Sequence, residues 1–195
     1  MSNRSGHPSH PSQRPAKTSI WRWLAFGAPI LFLAVLLAAS IVSEPTLDDP
    51  GSAPAFELST TAGEPVSLDE ALTAGDTLLY FSMGVGCDGC FAQIPEIEAT
   101  VAERGLTLLP IMVDPAPMVA AEAARFAINT PILIDPGAKV AEAYGMVGVY
   151  GHADRPSHSF ALVRQDGTIG WVRHYAEMFV PSDALFDELD QAMGA

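Results

Sequence analysis

The chain has 195 residues, two cysteines and a formal net charge of -13, from 10 Lys and Arg against 23 Asp and Glu. This length allows one domain of ordinary size with additional segments. The acidic balance argues against nucleic acid as a partner, since that binding needs a basic face. Two cysteines are too few for a disulfide-dense scaffold, and 49% hydrophobic residues exclude a mainly disordered chain.

Charge is distributed unevenly along the chain. The first 42 residues carry four basic residues and no acidic one, a sum of +4. The rest carries 6 basic and 23 acidic residues, a sum of -17. Residues 1–20 are rich in Ser, Pro, Gln and Asn and hold almost no large apolar side chain, which predicts a disordered basic tail.

An apolar segment follows the tail. Residues 23–42 read WLAFGAPILFLAVLLAASIV, 20 consecutive residues without a charge. That length is typical of a helix that crosses the hydrocarbon core of a membrane. Trp21 and Trp23 stand where an interfacial aromatic belt would lie. Residues 21–42 are therefore predicted to form a single transmembrane signal-anchor helix.

The charges on either side of this segment predict its orientation. The basic flank precedes it and the acidic flank follows it, so the positive-inside rule places the N-terminus in the cytoplasm and residues 43 onward outside the cell membrane. The alternative is a signal peptide cleaved near Ala38-Ala39-Ser40. Both alternatives export the same domain.

After a Pro- and Asp-rich linker at 43–53, residues 54–195 are predicted to alternate strands and helices. Short apolar runs predict strands at 55–58, 65–68, 77–82, 106–113, 131–134, 160–164 and 168–173. Apolar residues three and four positions apart predict helices at 87–104, 118–126, 138–144 and 182–193. The pattern predicts an α/β domain whose mixed sheet has helices on both faces.

Three residues carry finer predictions about these elements. In the helix at 87–104, Gln93 falls on the polar side, opposite an apolar face. Pro110 interrupts the strand at 106–113 and predicts a bulge or an edge there, because proline donates no hydrogen bond. Ser182 is the candidate N-cap of the last helix.

Both cysteines lie in Gly86-Cys87-Asp88-Gly89-Cys90, between the central strand and a helix. A helix N-terminus favours thiolate over thiol, and two intervening residues let one sulfur close on the other. Cys87 is predicted to be the exposed attacking thiolate and Cys90 the buried resolving thiol. The charge of Asp88 opposes thiolate formation, which predicts a more reducing pair.

Three alternatives compete with a redox-active dithiol. A structural disulfide across two residues would constrain the unfolded chain very little. A metal site would need ligands from His152, His158 or His174, since no second cysteine pair exists. Two inert buried thiols fit poorly with the Gly-rich approach at 83–86. The redox-active dithiol is the favoured interpretation.

The strand, the Cys-x-x-Cys and Pro95, five residues past the second cysteine, together resemble the thioredoxin-like superfamily. The wider domain, residues 54–190, resembles the redoxin branch, the alkyl hydroperoxide reductase/thiol-specific antioxidant (AhpC/TSA) family. Four segments carry that resemblance: 54–58, 134–137, 143–145 and 160–163. It implies a thioredoxin-like fold, with a central mixed sheet flanked by helices, and thiol redox chemistry.

The resemblance has one departure. Peroxiredoxins carry Pro-x-x-x-Thr/Ser-x-x-Cys before the cysteine that reacts with peroxide. Counting back from Cys87 gives Gly84 and Tyr80, and counting back from Cys90 gives Cys87 and Met83. Neither cysteine fits, so a dedicated peroxide pocket is not expected.

Three residues are candidates for substrate binding, Pro156 and Arg155 because of the resemblance and His158 because it lies near Pro156. Pro156 is the candidate for the cis-proline that thioredoxin-like proteins place opposite the cysteines. Arg155 would steady a thiolate or oxyanion, as the peroxiredoxin arginine does, or be a solvated loop residue. His158 would tune the thiolate or bind metal, or else bond to backbone.

The sequence thus predicts a membrane-anchored, extracytoplasmic thiol–disulfide oxidoreductase. Its substrate would be a protein disulfide or an oxidised thiol, and a membrane-bound electron donor would restore the dithiol. No organic cofactor is implied. One alternative is a peroxiredoxin-like thiol peroxidase using the same cysteines. The other is a copper chaperone similar to the Sco proteins, whose cysteines usually have three residues between them.

Overall fold

The structure, a computed structural model, describes residues 51–151 and 154–194. The predicted tail at 1–20, the predicted membrane segment at 21–42 and most of the linker lie outside these residues. Within the residues it describes, no helix combines the length and the apolar character needed to cross a membrane.

The described residues form one mixed sheet with helices on both faces. Its seven strands are β1 (Glu57–Thr60), β2 (Pro65–Ser67), β3 (Thr77–Phe81), β4 (Thr107–Met112), β5 (Leu133–Ile134), β6 (His158–Val163) and β7 (Ile169–Tyr175). The helices are α1 (Leu68–Leu72), α2 (Asp88–Glu103), α3 (Ala116–Arg125), α4 (Lys139–Ala143) and α5 (Ser182–Met193). The strand order is β2-β1-β5-β4-β3-β6-β7. β3, β4 and β5 run parallel, and the other pairs are antiparallel.

Strand β3 lies inside the sheet and is buried along its whole length, as its continuous apolar run predicts. Successive side chains of a strand point to opposite faces. Leu78 and Tyr80 accordingly pack in one core cluster, with residues of α2, α3 and α5. Leu79 and Phe81 pack in the other, with residues of α1 and α4. The strand therefore joins two cores, one on each face of the sheet.

Helix α2 follows β3 and has Cys87 as its N-cap. The predicted apolar face is confirmed, since its four residues are buried: Phe91, Ile94, Ile97 and Val101. The prediction for Gln93 is wrong, because this side chain is fully buried. Its amide can be buried because Val180 and His158 supply hydrogen-bond partners for it.

Pro110 lies in the interior strand β4, opposite Tyr80 of β3. Strand β5 has only two residues and pairs with β4 at Ile111 and Met112. At Pro110, strand β4 is therefore paired in the sheet on one side only. This local edge tolerates the missing N–H, as the proline predicts.

The structure corrects the predicted elements at two further places. The strand predicted at 65–68 ends at Ser67, whose side chain accepts a hydrogen bond from Glu70 N at 3.1 Å and caps the short helix α1. Helix α5 has Pro181 as its N-cap, so Ser182 is its first helical residue.

Candidate active site around the Cys87–Cys90 disulfide

Cys87 and Cys90 form a disulfide at the first turn of α2, with their Cα atoms 5.3 Å apart. The backbone N–H of Cys90 points to Cys87 Sγ at 3.2 Å. Cys90 is fully buried, as predicted, but Cys87 is only 5% exposed in this oxidised state rather than open to solvent. The loop after β7 packs closely against the residue between Asp88 and Cys90: a Cβ on Gly89 would lie 2.6 Å from Met178 O.

The Gly-rich loop before Cys87 is shaped by a close approach to Asp114. Gly84 has a φ of +81°, and a Cβ there would collide with the Asp114 carboxylate. The same carboxylate accepts a hydrogen bond from Val85 N at 2.8 Å. Asp114 follows the carboxyl end of β4, where sites in α/β sheets form; this position after a predicted strand is its only signal in the sequence.

Arg155 binds this carboxylate rather than a sulfur. Its two terminal nitrogens donate to the two oxygens of Asp114, each at 2.9 Å. One of them also donates to Met83 O at 2.7 Å. The hydrogen bond to Asp114 raises the pKa of Arg155 above its usual value. The guanidinium therefore ties Asp114 to the loop that leads to Cys87.

The cis peptide bond expected before Pro156 is not found, and none occurs in residues 51–151 or 154–194. Pro156 instead forms an antiparallel bridge with Val147. Next to it, Ser157 N donates to Met146 O at 3.2 Å. These strand-like contacts hold the segment extended with the ordinary trans bond.

His158 lies fully buried behind the disulfide, on the same face of the sheet as α2. Its Nδ1 is 3.0 Å from Tyr80 Oη, and its Nε2 is 3.1 Å from Gln93 Oε1. Tyr80 Oη is also 3.0 Å from Cys90 O. The predicted backbone partner of His158 is therefore wrong, because both ring nitrogens contact side chains. Tyr80 links the histidine to the second cysteine.

Gln93 determines which nitrogen of His158 carries a proton. Its Nε2 donates to Val180 O at 3.0 Å, and its Oε1 accepts from Val180 N at 2.7 Å. The amide orientation is thereby set, so Oε1 is an acceptor and His158 Nε2 is the donor. Burial lowers the pKa of His158 to about 4, which keeps the ring neutral at pH 7. We name Tyr80, His158 and Gln93 the buried network.

Asp88, between the cysteines, pairs with Arg125 at the end of α3. Arg125 also donates from Nε to Glu122 Oε2 at 2.8 Å. The hydrogen bond from Arg125 lowers the pKa of Asp88, which stays ionised. The sequence shows the charge of Asp88 but not its partner, because 37 residues separate Asp88 from Arg125.

The histidines proposed as metal ligands are differently placed. Both ring nitrogens of His158 are hydrogen-bonded. His174 lies 2.8 Å from Ser159 Oγ through Nδ1, and His152 lies outside the described residues. In the part of the chain that the structure describes, no group of three His, Cys, Asp or Glu side chains is placed to hold a metal ion.

A mixed sheet of this order, with a Cys-x-x-Cys disulfide where the central strand meets its helix, defines a thioredoxin-like protein. The model of the AhpC/TSA family matches residues 51–172. The chain therefore belongs to the AhpC/TSA family, as its sequence resemblance predicts. No match was found among the curated proteins.

Several solved structures share the fold. The peroxidoxin BcpB of Mycobacterium tuberculosis is 22% identical, with 74% of this chain and 95% of that chain covered and a TM-score of 0.60. A secreted M. tuberculosis disulfide oxidoreductase homologous to E. coli DsbE is 17% identical, with 70% and 95% covered and a TM-score of 0.55. AhpC of Mycobacterium bovis is 16% identical, with 77% and 99% covered and a TM-score of 0.60. These similarities establish the fold.

Proposed function

We propose that the protein is a thiol–disulfide oxidoreductase whose reacting groups are Cys87 and Cys90. One observation carries the proposal: the only two cysteines of the chain form one disulfide at the N-terminus of α2, directly after the buried central strand. The AhpC/TSA family match supports thiol-based redox chemistry.

In the proposed reaction the reduced protein transfers two electrons to a disulfide. The Cys87 thiolate attacks one substrate sulfur, forms a mixed disulfide and releases the other substrate sulfur as a thiolate, which takes a proton from water. Cys90 loses its proton to water and attacks Cys87 Sγ. This step closes the Cys87–Cys90 disulfide and releases the second substrate thiol. An external dithiol must then reduce the protein again.

The proposed site of action is the outer face of the cell membrane. Support comes from the predicted membrane segment at 21–42, whose residues 23–42 carry no charge, with basic residues before that run and acidic residues after it. Disulfides persist in that compartment, so the proposed electron donor is a membrane-bound dithiol protein. The substrate is a protein disulfide or an oxidised thiol, and no organic cofactor takes part.

The three residues considered for substrate binding receive different roles. Arg155 is partly exposed and touches the loop before Cys87, so substrate contact is assigned to it. Pro156 and His158 are buried. They are assigned to positioning: Pro156 through its bridge to Val147, and His158 through Tyr80.

A thiol peroxidase is the second candidate, favoured by the AhpC/TSA family match. In that reaction the Cys87 thiolate would attack a peroxide and become a sulfenic acid, which Cys90 would convert to the disulfide with loss of water. Two observations favour disulfide exchange instead. The Thr/Ser of the peroxiredoxin pattern is absent before both cysteines, and Asp114 neutralises the guanidinium of Arg155.

The decisive experiment is trapping in the native membrane. The full-length Cys90→Ser protein should accumulate mixed disulfides through Cys87, which mass spectrometry would identify. The control is Cys87→Ser, which keeps one thiol but lacks the proposed attacking sulfur. Absence of any Cys87-linked partner would overturn the disulfide-exchange proposal.

Two assays on the full-length protein in detergent separate the alternatives. Rapid peroxide consumption that Cys87→Ser abolishes would establish the peroxidase instead. Stoichiometric Cu(I) binding that His158→Ala abolishes would establish the copper chaperone, although a copper ligand at His158 would first have to break one of the ring's two hydrogen bonds.

A further inference from the structure

We propose that Arg125 controls the acidity of the Cys87 thiol, and with it the reduction potential of the cysteine pair, by neutralising Asp88. The inference rests on the proposed thiol–disulfide function and adds a residue from a distant helix that regulates the same site. Arg125 does not touch either sulfur in the contacts described, so it acts as a positioning residue through Asp88.

The geometry places Arg125 firmly against the active-site turn. One terminal nitrogen pairs with Asp88 Oδ1, and the other lies 3.4 Å from Oδ2. The guanidinium stacks on Phe126, 4.3 Å from the ring centroid. Phe126 in turn stacks on Phe91 of α2, with ring centroids 5.8 Å apart. Two contacts therefore join the end of α3 to the start of α2: one ionic and one aromatic.

The position of Asp88 makes this pair relevant to the thiol. Cys87 is the N-cap of α2 and Asp88 is the first helical residue. The helix N-terminus stabilises a thiolate at Cys87, whereas an adjacent carboxylate destabilises it. Arg125 offsets that carboxylate. Loss of Arg125 should therefore raise the pKa of the Cys87 thiol, and loss of Asp88 should lower it.

The other charged groups around the site are the same in all the variants, including Glu122, which also pairs with Arg125. On the loop side, the carboxylate of Asp114 is balanced by Arg155. Behind Cys90, His158 is neutral at pH 7 because burial lowers its pKa to about 4. Glu177 is exposed on the loop after β7, next to Met178. All of them keep the same charge in each variant below.

The pKa of the Cys87 thiol affects the reduction potential of the cysteine pair. A lower thiol pKa stabilises the reduced, thiolate form and makes the disulfide a stronger oxidant. The Asp88→Asn protein should then be the most oxidising variant and Arg125→Gln the most reducing. The double variant should lie close to the wild type, since it lacks both charges.

The test uses the full-length Cys90→Ser protein, whose single thiol is Cys87. The rate of iodoacetamide alkylation against pH gives the pKa of that thiol in four backgrounds: unchanged, Arg125→Gln, Asp88→Asn and the double variant. At a fixed pH below the thiol pKa, Arg125→Gln should lower the thiolate-to-thiol ratio about threefold, the size expected for one nearby unit charge in a highly solvated environment. Asp88→Asn should raise it by a similar factor.

Arg104→Gln is the matched control. Arg104 is the C-cap of the same helix and pairs with Asp190 on the surface. The substitution removes one positive charge at the far end of α2, about 24 Å from its N-terminus for a helix of 16 residues. It should leave the pKa of the Cys87 thiol unchanged. The potentials of the two-cysteine proteins, measured against glutathione, should follow the same order.

Three results would overturn the inference. They are an unchanged pKa in Arg125→Gln, an equal effect from Arg104→Gln, and a double variant whose thiol pKa stays as far from the wild-type value as that of either single variant. Variants that shift the pKa while the wild type reduces no disulfide would support the electrostatic control and reject the proposed function. The thiol pKa is measurable without any substrate, so the two failures are distinguishable.

Discussion

Two groups of polar side chains surround the disulfide and differ in burial and in charge. The buried network of Tyr80, His158 and Gln93 lies behind Cys90, and all three residues are fully buried. The rim pairs, Asp114–Arg155 and Asp88–Arg125, lie on the solvent side, and each has at least one partly exposed member.

The comparison shows how burial determines protonation around one site. A charge buried without a partner is costly, so the buried network is uncharged and satisfied by hydrogen bonds. In each rim pair the two members carry opposite charges and bind each other, and water reaches at least one of them. We expect substitutions in the buried network to act mainly on stability, and those at the rim to act mainly on the loop and on the cysteines.

The largest effect is expected from Gln93→Leu. It leaves Val180 N, Val180 O and His158 Nε2 buried without their partners, at about 1–3 kcal/mol for each group. The free energy of unfolding, measured by urea denaturation of the full-length protein, should fall by about 3 to 5 kcal/mol. The control Gln165→Leu changes an exposed turn residue and should stay within about 0.5 kcal/mol. Equal losses of stability in the two variants would contradict the stabilising role of the hydrogen bonds that Gln93 makes in the buried network.

The second effect is a loss of stability in acid caused by His158. Its pKa falls from 6.5 to about 4 in the folded protein because it is buried, so the unfolded chain binds the proton first. The stabilisation is complete above pH 6.5 and is lost as the pH falls towards 4, by about 3 kcal/mol in total.

Urea denaturation at pH 7.5 and pH 4 checks this prediction, with His158→Gln as the comparison. Carboxylates titrate in both proteins over this pH range. The informative quantity is therefore the difference between the wild type and the variant in how much stability each loses. The wild type should lose about 3 kcal/mol more than the variant. Identical losses would mean that His158 is not kept neutral by burial.

A smaller effect is expected at the first rim pair. Asp114→Asn keeps the shape of the side chain but removes the charge that Arg155 binds with two hydrogen bonds. We expect a loss of about 1–2 kcal/mol and faster hydrogen exchange at Val85 N. Asp76→Asn is the control, because Asp76 also accepts a backbone N–H but lies 4.0 Å from its arginine. A larger loss of stability in Asp76→Asn than in Asp114→Asn would contradict the stronger binding assigned to the Asp114–Arg155 pair.

The smallest effect is expected for Arg104→Gln. Its pair with Asp190 is about one-third exposed on both sides, and surface ion pairs contribute about 0–1 kcal/mol. Thermal or urea denaturation should therefore show a change below about 1 kcal/mol. A loss as large as that of Gln93→Leu would remove the distinction between surface pairs and the buried network.

Local patterns predicted most of the fold. The apolar run of β3 and the three- and four-residue spacing in α2 both depend on residues close in sequence. The short helix α1 was missed because five residues carry little periodic signal. The trans bond before Pro156 was missed because its bridge to Val147 is a contact between loops.

The sequence by itself determined the Cys-x-x-Cys, its place between a buried strand and a helix, and the family. The first two features are local, so hydrophobic pattern and residue spacing reveal them, and the family follows from the resemblance of several segments to it. Only the tertiary structure decided which side chains surround the cysteines. Gln93 meets His158 across 65 residues, Asp114 meets Arg155 across 41, and Asp88 meets Arg125 across 37. Such contacts depend on how the sheet brings distant strand and helix ends together, and a pattern along the chain contains no distance between them.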